Sequence, residues 1–99
     1  MDGLSNLIVM KIIGLLGGTS WPSTISYYEQ LNKLVHSRLG GFHSARILLY
    51  SIDYHDIKSS YANDWQTVEN LLAREIQFFL EPTVGYSQKK PDCLVICNN

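Results

Sequence analysis

Three stretches of this 99-residue chain gather residue types suited to chemistry on a small anion. The first is Gly14-Leu15-Leu16-Gly17-Gly18-Thr19-Ser20, a glycine-rich turn carrying two hydroxyls, set where an apolar run gives way to a helical pattern. Backbone N–H groups at such a helix start attract carboxylate or phosphate. The same residues also fit a plain tight turn. They form neither a Walker A loop, for want of Gly-Lys-Ser/Thr, nor a dinucleotide fingerprint with its three-glycine spacing. The second stretch is Cys97-Asn98-Asn99. Its thiol would serve as base or nucleophile if the electropositive end of a helix activated it, and its amides are able to hydrogen-bond a carboxylate or ammonium. Cys97 equally fits a small buried hydrophobe, and Cys93, deeper in the same run, reads as packing. The third stretch, Asp53 to Tyr61, is polar and holds His55, either an acid/base or a solvated loop histidine. Tyr27, Tyr28 and Trp65 read as helix packing; Trp21 reads as lining the site or stapling the helix start.

The elements that must position these groups follow from periodicity. Leu7 to Leu16 is apolar and rich in branched residues, the pattern of a strand buried on both faces, with Lys11 marking its start. Residues 1–9 then form an N-terminal extension. Pro22 suits the first turn of a helix, and Ile25, Tyr28, Leu31, Val35 and Leu39 follow at helical spacing up to Gly40-Gly41. Ala45 to Ile52 predicts a second strand, and Asp53 to Asn63 a long irregular loop at its end. Asn63 or Asp64 caps a second helix with a stripe of Trp65, Val68, Leu71, Leu72, Ile76, Phe79 and Leu80, stopped by Pro82. Thr83 to Pro91 is a connector, and Cys93 to Cys97 a third strand.

This order predicts an α/β fold: a parallel β-α-β-α-β sheet unit with right-handed crossovers. Ligands bind such sheets at the carboxyl ends of the strands, where all three chemical stretches fall. Three strands with only one or two covering helices should leave a large apolar area exposed. The chain is therefore expected to pair with itself or, the favoured reading, to be the front part of a longer protein.

Composition narrows the function classes. With 45% hydrophobic and 17% charged residues the chain is ordinary globular material. A net charge of −1 gives no electrostatic footprint for nucleic acid or an anionic membrane, so neither is an expected partner. No apolar run approaches the ~18–20 residues that span a bilayer, and the first ten residues lack the marks of a secretory signal. The two cysteines, roughly 13 Å apart along one strand face, are too far apart to pair, and free thiols fit a reducing compartment. A cytoplasmic location is expected. No ligand spacing for a metal surrounds His36, His43, His55 or the thiols.

Lys11 to Tyr28 (KIIGLLGGTSWPSTISYY), Leu39 to Arg46 (LGGFHSAR) and Tyr50 to Asp53 (YSID) closely resemble the aspartate/glutamate racemase family. The match runs over residues 10–99, and Gly-Gly-x-Ser-Trp-x-Ser-Thr followed by Tyr-Tyr is much longer than a generic glycine turn. The resemblance implies the N-terminal part of one racemase domain, in a protein of two similar α/β domains with the active site between them. It implies a cofactor-independent isomerase of amino-acid metabolism, free of pyridoxal phosphate. Two groups on opposite sides of an acidic amino acid, usually both Cys, exchange its α-proton. Such proteins are often dimeric, which makes a second copy a candidate partner. Gly18, Thr19 and Ser20 match the first substrate loop, and Asn98 and Asn99 the strand-end motif. Two registers remain open: either Asn98 takes the catalytic position with Cys97 one residue early, or Cys97 is that catalytic residue and Asn99 replaces the usual Thr. The ending Ile-Cys-Asn-Asn favours the first, which puts an amide where a base would act. Cys93 shares a strand and a face with Cys97 and so is not the second base. A chain that is inactive alone is one expectation; a non-catalytic remnant that binds small carboxylates or only self-associates is the alternative.

Overall fold

The computed structural model describes residues 10–62, 64–81 and 90–98. The elements in order are β1 (Ile12–Gly17), α1 (Trp21–Leu39), β2 (Arg46–Ser51), α2 (His55–Ser60), α3 (Trp65–Leu80) and β3 (Cys93–Ile96). The three strands form one parallel sheet in the order β2-β1-β3, the expected α/β unit. Pro82, residues 83–89 of the connector, the cap candidate Asn63 and the extension over 1–9 lie outside the described residues.

β1 is central because its sequence is apolar on both faces. Leu15 and Leu16 are fully buried, and they point to opposite sides. On the Leu16 side the core joins Leu16 to Ile52, Ile57 and Val68, with Tyr50, Leu72, Phe79 and Leu94 packed around them. The stripe read from α3 thus finds its partner. Asp64 caps this helix, its carboxylate accepting from the Thr67 backbone N–H at 3.2 Å. At the opposite end of the sheet Asp92 ties β3 to β1, its carboxylate accepting from the Ile12 N–H at 2.7 Å.

Two expectations are corrected. The segment after β2 is not irregular: it contains the two-turn helix α2. A helix of six residues does not hold itself together in water. One side chain holds it, Ile57, which is 3% exposed and whose burial contributes about 2 kcal/mol. Asp53 starts the turn by accepting from the His55 N–H at 3.2 Å. A single apolar residue among polar ones has no periodicity, so the pattern hid it. Cys93 is also not packed. It opens an edge strand and is exposed, although the register places it on the same face as Cys97.

The α1 stripe is left largely open, with Ile25, Tyr28 and Leu39 exposed, as are Leu48 and Leu49 on β2 and Phe42 in the turn before it. The apolar excess expected from three strands and few helices is therefore present among the described residues. No helix among them is long and apolar enough to cross a membrane.

The tightest approach is at Gly18, whose φ is +97°, and a Cβ there would overlap the backbone of Ile52. Gly18→Ala is expected to lower stability by ~2 kcal/mol or more, read as a shift in urea midpoint. Gly41→Ala, also at positive φ but with nothing within 4 Å, should cost only ~1 kcal/mol. Equal losses would remove the close approach as the reason for glycine at position 18.

Candidate functional site

The carboxyl end of the sheet brings the three chemical stretches together. Beyond the ladder, the Ile52 N–H donates to the Gly17 carbonyl and the Cys97 N–H to the Leu16 carbonyl, both at 2.9 Å. The tail of β1 therefore holds the ends of both neighbours. The first loop closes on itself through Thr24, which is buried. Its hydroxyl accepts from the Gly18 N–H at 3.0 Å, and its own N–H donates to the Ser20 carbonyl at 3.0 Å.

Each expected site residue can now be placed. Gly18 borders an open hollow of about 640 Å³ that Trp21, Asp53, His55, Lys58 and Ser59 also line. Thr19 faces β3, its hydroxyl donating to the Cys97 carbonyl at 2.7 Å. Ser20 is the N-cap of α1 by position, yet its side chain pairs with the Ser23 hydroxyl at 3.1 Å and makes no capping bond. Helix α1 nonetheless starts at this loop, so its dipole favours negative charge beside Thr19 and Ser20. Asn98 is exposed at the strand end, and its carbonyl accepts from the Tyr27 hydroxyl at 3.1 Å. Asn99 lies outside the described residues.

Cys97 departs from the activated thiol that the sequence allowed. It is fully buried, and burial alone pushes its pKa up. The physical cause is desolvation, which disfavours the charged thiolate. Alternation along the strand turns Cys97 inward and leaves Asn98 outside.

Sequence reasoning missed several contributors. Tyr27, taken as packing, is instead a hydroxyl donor to the strand end. Thr24 lies inside the Gly-Gly-x-Ser-Trp-x-Ser-Thr run, and its spacing of four from Ser20 is the signal for a hydroxyl folding back on the first turn. Lys58 faces the hollow only because α2 is helical. Trp65 is exposed rather than buried and leans on Tyr61 with ring centroids 5.2 Å apart. Tyr54 also lines the hollow, and burial and then a hydrogen bond to Tyr61 push its phenol up to about 12.

The hollow beside Gly18, with Lys58 and His55 in its lining, is suited to receiving a small anion. Among the described residues no cluster of three or more His, Cys, Asp or Glu is placed to hold a metal ion.

No family model matches the chain. A solved structure described as "a putative Asp/Glu Racemase from Yersinia pestis" is similar to it, at 43% identity and a TM-score of 0.71 over 91% of this chain. The aligned region is 36% of that protein, so the chain spans about a third of its length.

Because Cys97 and Tyr54 ionise less readily when folded than when unfolded, their contribution to stability is complete below the unfolded values of 9.0 and 10.0. It is lost as pH rises through the folded values. Urea midpoints are expected to be flat up to pH 9 and to fall from there to about 12, with the first part of the fall absent in Cys97→Ala. Iodoacetamide at pH 8 should label Cys93 well before Cys97; the reverse order would contradict the burial.

Proposed function

We propose that the chain belongs to the aspartate/glutamate racemase family and carries one wall of its active site, the wall that holds the substrate carboxylate. The observation that supports this most is the 43% identity to the Yersinia pestis protein over 91% of the chain. The substrate class is an acidic amino acid. Gly18, Ser20, the main chain of Thr19 and Asn98 surround its carboxylate, together with the start of α1, while the Thr19 hydroxyl turns to the Cys97 carbonyl, and Asn99 follows in the same motif.

Racemisation in this reading is a 1,1-proton transfer: one group removes the α-proton and an opposed group returns a proton to the other face. Preorganised donors stabilise the negative charge that develops at the carboxylate. The chain's two cysteines lie on one strand and one sheet face, so they cannot bracket a carbon atom. Asn98 at the strand end is an amide and takes no proton. The chain alone therefore binds without turning substrate over.

The alternative, a carboxylate-binding remnant with no proton transfer in any assembly, is favoured by two observations: the inward, raised-pKa thiol and the amide beside it.

L-aspartate or L-glutamate incubated with the purified chain in D2O should show no loss of the α-proton signal by NMR; α-deuteration would contradict the one-wall reading. Calorimetric titration with aspartate should give heat, and the same heat with Cys97→Ala. Absence of binding in both would count against a carboxylate site.

A further inference from the structure

Thr19 and Tyr27 are the natural suspects for touching a ligand, yet each directs its hydroxyl proton into the protein. Thr19 donates to the Cys97 carbonyl at 2.7 Å and Tyr27 to the Asn98 carbonyl at 3.1 Å. One side chain from the loop before α1 and one from its second turn thus grip consecutive carbonyls across 78 and 71 residues of sequence.

The strand they grip needs it. β3 has four residues and lies at the edge of the described sheet, and beyond Ile96 the Cys97 N–H donates to the Leu16 carbonyl. Short edge segments of this kind open locally at little cost. Successive carbonyls of an extended chain point opposite ways, so holding two in a row fixes the rotation of the chain about its own axis. A slip of one residue would exchange the inward and outward side chains.

We propose that Thr19 and Tyr27 are positioning residues: their hydroxyls lock the tail of β3 in the register that buries the Cys97 thiol and leaves Asn98 at the mouth of the site. The acidic amino acid used as probe below rests on the proposed racemase reading; the lock itself does not.

The test uses the full chain with Cys93→Ser, so that one thiol reports. Alkylation of Cys97 by iodoacetamide should be ~10-fold faster or more in Thr19→Val/Tyr27→Phe, with its pH profile moved down toward that of an ordinary thiol. Thr19→Ser, which keeps the hydroxyl, should stay near the parent rate. A double variant that reacts at the parent rate overturns the lock. If the double variant is less stable overall, the urea dependence of alkylation decides: a shallow slope marks local release and supports the lock, whereas the slope of global unfolding overturns it. In a second readout, aspartate titrated against the Asn98 amide signals by NMR should bind ~10-fold more weakly to the double variant. Undiminished binding overturns the positioning role. A parent that takes up no aspartate overturns the racemase reading instead, and the lock then stands or falls on the alkylation rates.

Discussion

The carbonyls of Leu16 and Gly17 each receive a backbone N–H from a different flanking strand, one from Cys97 and one from Ile52. On this pair of bonds depends the geometry of the whole carboxyl end of the sheet. The central strand ends by pinning its two neighbours, and the chain must then leave at once to begin α1. Only a residue without a Cβ turns there, since the backbone of Ile52 fills the space beside Gly18. The glycine run is therefore required by crowding between two backbones. The same turn delivers the start of a helix to the carboxyl end of the sheet.

Much of this was legible in the residues. The near-continuous apolar run of β1 announces a strand buried on both faces, and the α3 stripe announces a helix with a partner, because both patterns repeat many times. The convergence of the three chemical stretches follows from parallel topology alone. What stayed hidden depended on single contacts. Helix α2 is held by Ile57, one apolar residue among polar ones, and a lone anchor leaves no period to read. The inward turn of Cys97 depends on strand register, which alternates with every residue and is set by distant partners. The role of Tyr27 is a bond spanning 71 residues, for which a single sequence carries no signal.

Two influences compete at the strand end. A helix start nearby would draw a thiol toward its anionic form, while exclusion of water opposes it. Burial pushes the Cys97 pKa up. The other polar groups at this end, among them the hydroxyl of Ser20 and the amide of Asn98, need no ionisation.

The open flanks of the sheet have a consequence for how the polypeptide behaves while folding. β2 and β3 are both outer strands, and β2 carries Leu48 and Leu49 with substantial exposure. Outer strands present unpaired main-chain groups on which another molecule can template. A parallel arrangement adds to the hazard, since its pairings join distant parts of the chain and form late. Phe42, with no burial at all, adds an adhesive aromatic close to the start of β2. Freshly made copies thus pass through a sticky period whose length is set by how soon those flanks are covered, which makes concentration during synthesis the variable that decides between folding and aggregation.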